Sequence, residues 1–166
     1  TASVKGSGPR RDPRCLLDDG YSVTHAHVTF PYAGKDIDSF LLTLLREERG
    51  QNFVKAIEDS ITKEKEMKAY VALDYETEVT KTESLKPYFQ CCEIMFQPNI
   101  QNTQYKYDGS IKADTTNNSG YAKDGIQHKI MQSINKVHAD IRQEMFNGIA
   151  LDGGNTDIKG FKERLE

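Results

Sequence analysis

The sequence predicts an α/β fold, and two observations carry that expectation. Short apolar runs pass directly into acidic residues and glycine at two distant places: Ile149-Ala150-Leu151-Asp152-Gly153-Gly154-Asn155-Thr156, and Cys15-Leu16-Leu17-Asp18-Asp19-Gly20. A buried strand hands over in this way to a loop whose backbone must come close to a ligand, because glycine permits both the tight turn and the close approach. The stretches between these runs carry apolar residues at steps of three and four, so strands and helices alternate along the chain. Two strand-to-glycine turns, well separated in sequence, can face each other across one phosphate site.

In chain order, residues 1–13 read as an irregular lead-in, with Pro9 and Pro13 discouraging regular structure, and residues 14–17 as a short strand. Asp36 to Arg49 reads as a helix, because Ile37, Phe40, Leu41, Leu44 and Leu45 share one face, Asp36 or Asp38 suits its N-terminus and Gly50 stops it. Phe53 to Met67 reads as a second helix with Phe53, Val54, Ile57 and Ile61 on one side and a charged later half, Lys63-Glu64-Lys65-Glu66. Ala69 to Leu73 reads as a strand ending at Asp74, residues 75–89 are ambiguous, and Cys91 to Phe96 reads as a strand ended by Pro98. Residues 99–123, rich in Asn, Thr, Gly, Tyr and Asp without periodicity, have the composition of an exposed insertion. Ile126 to Phe146 is one long helix or two consecutive ones, Ile149 to Leu151 is the final strand, and Asn155 to Glu166 begins a further helix.

At 166 residues the chain can bury one sizeable core or form two small lobes. A net charge of −3 gives no global basic field to attract nucleic acid, and none is expected as a partner. No apolar run approaches the roughly 18–20 residues that a membrane span needs. The polar N-terminus has no apolar core of a secretory signal, and without an initiator Met the chain is expected to be processed or a fragment. Cys15, Cys91 and Cys92 have no metal-type spacing and suit a reduced, intracellular compartment; the acceptor pattern Asn117-Asn118-Ser119 then has no role.

The segment Asp140-Ile141-Arg142-Gln143-Glu144-Met145-Phe146-Asn147-Gly148, followed by Ile149 to Thr156 and Gly160-Phe161, resembles the helix, strand and adenosine motif of actin and the actin-related proteins. Leu17-Asp18-Asp19-Gly20 with Val23-Thr24-His25 resembles that family's second phosphate loop. Ala33-Gly34-Lys35-Asp36 resembles its helix entry, and Lys65-Glu66 with Tyr70-Val71-Ala72-Leu73-Asp74 resembles its adenosine-contacting helix and next strand. Phe96-Gln97-Pro98 also fits. The resemblance implies part of an actin-like (ribonuclease H-like) ATPase fold, the large lobe in reduced form. Residues 14–166 would be that lobe, with a helical subregion at about 34–68 and an insertion-like loop at about 99–123.

By resemblance, Asp18 acts near a metal through its water shell and His25 orders the attacking water. Gly20 offers its amide to phosphate; Gly34, Lys65 and Glu66 line the nucleoside pocket; Gly153, Gly154 and Asn155 close it; and Ile158 lies against the base. The implied cofactor is ATP or ADP with Mg2+. Each residue also has a plainer reading: Asp18 and Asp19 as turn formers, His25 as an ordinary histidine, Lys65 and Glu66 as a solvated helix face, and Gly153-Gly154 as a turn needed for folding alone.

The chain departs from the family pattern where phosphate chemistry is done. Tyr21 stands in place of a second aspartate, Ser22 in place of a glycine, and Ile158 in place of an aromatic. The first phosphate loop and the C-terminal part have no counterpart, the stretch between His25 and Pro31 is short, and residues 75–92 look compressed. A phenol does not replace a carboxylate at neutral pH, and phosphoryl transfer depends on positioning by both loops. The chain is therefore expected to hydrolyse ATP negligibly by itself, to bind nucleotide weakly or vestigially, and to serve as a docking module in a cytoskeletal or other macromolecular assembly. Its partners would be proteins, actin-like or cytoskeletal subunits among them, contacted through Tyr105, Tyr107 and Tyr121. The alternative is a portion of an actin-type ATPase or filament protein, completed by other segments.

Overall fold

The computed structural model describes residues 2–5, 17–18, 21–28, 30, 32–81, 85–100 and 124–166. Its described part is mostly helical, which departs from the α/β expectation. Four short strands occur among the described residues: β1 (Ala2–Lys5), β2 (Leu17–Asp18), β3 (Tyr21–Ser22) and β4 (Ile149–Asp152). β1 pairs with β4 in parallel, from Ala2 opposite Ile149 to Lys5 opposite Asp152, and β2 pairs with β3 antiparallel, Asp18 opposite Tyr21. The irregular lead-in expected over residues 1–13 is thus corrected in part, because β4 offers a ladder that the sequence of the lead-in does not announce. The insertion-like stretch lies outside the described residues from 101 to 123, with Tyr105, Tyr107 and Tyr121 in it.

The centre of the fold is α1 (Gly34–Arg49), packed on α2 (Gln51–Ile57), α3 (Ile61–Lys68) and α5 (Lys86–Glu93). Its predicted stripe, Ile37, Phe40, Leu41, Leu44 and Leu45, is buried throughout. Asp36 closes the N-terminus: its Oδ2 accepts the Ala33 N–H at 2.7 Å, which satisfies a donor that no helical carbonyl can reach. Gly50 ends the helix with φ +85°, a conformation cheap only for glycine. The single helix expected over 53–67 is broken at Glu58–Ser60 by a 3-10 turn. Ser60 Oγ donates to the Ile57 carbonyl at 3.2 Å there, the local side-chain bonding by which serine competes with a helical ladder.

Two expected strands are helices or turns. Cys91 to Phe96 continues the buried helix α5, whose Pro87 sits in the first turn where no N–H is needed, and then turns. A short apolar run buried on all sides has no periodicity to distinguish strand from helix, which is why the reading failed. Ala69 to Leu73 makes only an isolated parallel bridge, Tyr70 with Lys159, with Val71 N–H donating to the Lys159 carbonyl at 2.8 Å. The ladder goes no further because the partner segment turns at Gly160 into the last helix, where Phe161 N–H donates to the Ile158 carbonyl; Arg164 Nη1 donates to the Ala72 and Leu73 carbonyls. The ambiguous stretch forms α4 (Tyr75–Lys81) and the start of α5.

The long C-terminal helical pattern resolves into α6 (Ile126–Asn135) and α7 (Ala139–Asn147). Arg142 spans the break, its Nε 3.1 Å from the Val137 carbonyl and its Nη2 2.9 Å from that of Asn135, so the carbonyls left over at the end of α6 are satisfied. After β4 the chain turns tightly, with Gly153 at φ +102° and Thr156 N–H and Oγ1 both donating to the Gly153 carbonyl. The last helix, α8 (Phe161–Leu165), starts later than Asn155, after Gly160 at φ +83°. A Cβ at Gly160 would collide with the Val71 carbonyl oxygen, so glycine is required twice over where the strand bridge meets α8. Phe161 is buried against Phe96, which fixes α8 to the end of α5. No helix among the described residues is long and apolar enough to cross a membrane.

Candidate functional site

Three chain segments meet at a cleft of about 530 Å³. The first turns of α1 supply Gly34, Lys35 and Asp38; α3 supplies Thr62, Lys65 and Glu66; the loop after β4 supplies Gly154, Asn155, Asp157 and Ile158. The spacing is helical on both sides: Gly34 and Asp38 are four apart, and Thr62, Lys65 and Glu66 lie at steps of three and four, so each set lies on one helix face. Gly34 is where the segments come closest. A Cβ there would stand 3.3 Å from Asn155 Oδ1 and 3.6 Å from Lys65 Nζ.

Lys65 is the organising side chain. It is buried, not part of a solvated face, and its Nζ lies 2.7 Å from Asp38 Oδ1, with both side chains largely withdrawn from solvent at 7% and 14% exposure. The same ammonium donates to the Gly34 carbonyl at 3.3 Å. Asp38 in turn accepts the Thr62 hydroxyl on Oδ2 at 3.0 Å. Asp38 Oδ1 makes its ion contact but accepts no well-angled hydrogen bond, so the pair is held mainly by charge. Glu66 is exposed at the rim, and Ile158 is half-buried with its side chain against the core.

Six of the residues implied by resemblance, Gly34, Lys65, Glu66, Gly154, Asn155 and Ile158, therefore line one cleft. Gly153 sits beside it and supplies the positive φ that turns the loop. Its neighbour Gly154 needs no such conformation and has nothing within 4 Å of a would-be Cβ, so its smallness leaves open space. Asp18 lies in β2, while Gly20 lies outside the described residues. His25 is exposed in the 3-10 turn Thr24–Ala26 and borders a different hollow, with Val137, His138 and Arg142. That turn is tied to α6, because Ser133 Oγ donates to the Ala26 carbonyl.

Sequence reasoning missed Asp38, Thr62, Lys35 and Asp157. Asp38 was a candidate for the helix N-terminus, the role that Asp36 fills; its position one turn beyond Gly34 was the signal that it shares Gly34's face. Thr62 precedes Lys65 by three residues and could have been found in the same way. Among the described residues no group of three or more His, Cys, Asp or Glu is placed to hold a metal ion.

The sequence model of the Actin family matches residues 78–166, more than half of the chain, and the chain belongs to that family. The match takes in β4 and the Gly153–Ile158 wall of the cleft, while the α1 and α3 walls lie before it.

Proposed function

We propose that this chain is an actin-like structural subunit, a reduced large lobe that docks within a larger protein assembly and retains a weak nucleoside-binding cleft. The observation that carries the reading is the convergence of Gly34, Lys65, Glu66, Gly154, Asn155 and Ile158 on one cleft from three separate segments. A nucleoside fits its chemistry: an apolar contact from Ile158, amide and carboxylate groups for hydroxyls and base edges, and glycines where the ligand must come close. ATP or ADP with Mg2+ is the expected ligand, held chiefly by its nucleoside end. Tyr21 and Ser22 stand where the family's phosphate loop has its second carboxylate and its glycine, which argues for weak phosphate binding and negligible hydrolysis by the chain alone.

Docking is supported by apolar surface: Met131 and Phe146, 45% and 38% exposed, border an apolar groove of about 700 Å³ with Ile130, Ile149 and Leu151. An intracellular, cytoskeletal setting follows from the family reading and belongs to the same proposal. A second reading, one portion of an actin-type ATPase, draws on the same cleft and requires the remaining phosphate loop from other segments.

The test is a thermal shift of the chain with Mg2+ and ATP, ADP or no nucleotide. At ligand near ten times Kd, binding adds about 1.4 kcal/mol of stability, or roughly 3–5 °C for a chain of this size. Gly154→Val should remove the shift and leave the nucleotide-free melting temperature unchanged, because the site has room for a side chain. A folded wild type with no shift at millimolar nucleotide rejects nucleotide binding. Turnover by the chain alone rejects the structural reading in favour of the ATPase.

A further inference from the structure

Asp38 and Thr62 are polar groups of the cleft that the resemblance does not supply. Asp38 Oδ1 is sealed from solvent against Lys65, yet the side chain keeps 14% exposure, so its reachable part is the Oδ2 side, where the Thr62 hydroxyl donates at 3.0 Å on the exposed face. Together they present an acceptor and a hydroxyl side by side at the cleft. Lys65, whose ammonium would be the natural phosphate ligand, is engaged by Asp38 at 2.7 Å and by the Gly34 carbonyl at 3.3 Å. The cleft's charged lining is then Lys35 and Lys65 against Asp38, Glu66 and Asp157, three carboxylates to two ammonium groups, an excess that repels an anion rather than attracting one.

We propose that Asp38 determines the specificity of this cleft: with Thr62 it receives the vicinal hydroxyls of a sugar, and by engaging Lys65 it makes the cleft choose an uncharged nucleoside over its phosphorylated forms. This rests on the nucleoside reading given above. Sugar hydroxyls donate to Asp38 Oδ2 and to the Thr62 hydroxyl oxygen, whose own proton Asp38 already holds, so a ligand lacking those hydroxyls leaves two acceptors unmatched. Removing the Asp38 charge would release the Lys65 ammonium inside the cleft, where it becomes available to a phosphate.

The experiment is isothermal titration of the whole chain with adenosine, 2′,3′-dideoxyadenosine and ADP, on wild type, Asp38→Asn and Thr62→Ala, each checked for folding by circular dichroism. Wild type should bind adenosine at least as tightly as ADP and the dideoxy compound about tenfold more weakly, since its hydroxyl partners are left unmatched. Asp38→Asn should weaken adenosine and raise the ADP-to-adenosine affinity ratio by about tenfold, the scale of one charge-assisted contact. If that variant fails to fold, the dideoxy comparison on wild type and the loss of adenosine affinity in Thr62→Ala, which alters an exposed hydroxyl, decide the matter. ADP binding tenfold tighter than adenosine, with a ratio that Asp38→Asn leaves unchanged, overturns the role of Asp38 and leaves the nucleoside cleft standing. No binding of any of the three by folded wild type overturns both.

Discussion

Glu93 has a side chain with no solvent exposure; among the described residues its charged contact is Arg164 Nη2, 3.1 Å from Oε1, and Oε2 has no hydrogen-bond partner. Burial raises its pKa from 4.5 to about 7, more than the Arg164 charge and the neighbouring Gln97 lower it. The folded state keeps the proton between these two values while the unfolded chain has released it. Stability from this group is therefore complete below pH 4.5 and is lost as pH rises through about 7. The span is worth at most about 3 kcal/mol. Thermal melts from pH 5 to 8 should show a falling melting temperature over that range, and Glu93→Gln should flatten it. An equally steep profile in the variant removes Glu93 as the cause. Glu64 and Asp74 titrate elsewhere: hydrogen bonds from Lys68 and from Thr77, respectively, are the largest causes holding them below the ordinary carboxylate range, so their contributions are lost only in more acid solution.

At the scale of the element, α8 is short but is anchored by one residue. Arg164 donates to the Ala72 and Leu73 carbonyls, pairs with Glu93 and lies over the Phe96 ring at 5.7 Å. Arg164→Ala removes all four contacts and leaves a buried carboxylate alone, a change that costs about 3–5 kcal/mol in comparable buried pairs. Denaturant titration should read a loss of that size at pH 8 and a smaller one at pH 5, where Glu93 carries its proton. A loss below about 1 kcal/mol at both values, the level of an exposed pair, would mean that α8 is held by Phe161 alone. The same elements explain which parts of the fold were legible. α1 was readable because one face is buried and the other wet, which writes a period of 3.6 into the sequence. α5 was not, because burial on all sides erases the period. The strand expected at Ala69–Leu73 was apolar enough to pair, but its partner segment, some ninety residues away, turns at Gly160 into α8 after one bridge, which no pattern local to Ala69–Leu73 records.

Across the whole molecule, the cleft joins segments that are distant in sequence, α1 and α3 on one side and the β4 loop on the other. A ligand bridging them should slow amide exchange in the first turns of α1, in α3 and in residues 153–158 together, and leave α6 and α7 unchanged. Hydrogen exchange with and without ADP reads this directly. Protection confined to one wall, or spread over every helix, contradicts a ligand seated between them. The family match begins within α4, so the agreement of the two earlier walls with the later one comes from the tertiary structure.

The sequence by itself determined the family, the helix α1 and its stops, the strand β4 with its glycine turn, and six residues of the cleft. The helix, the strand and the turn are local signals, because periodicity, caps and glycine geometry act between neighbours within a few residues; the family and the cleft residues came from resemblance to actin-family motifs. Only the tertiary structure decided that Lys65 is buried and engaged by Asp38, that Thr62 joins them, and that His25 faces another hollow. Burial and ion pairing are set by what packs across a helix face, and the residues that pack there come from elsewhere in the chain.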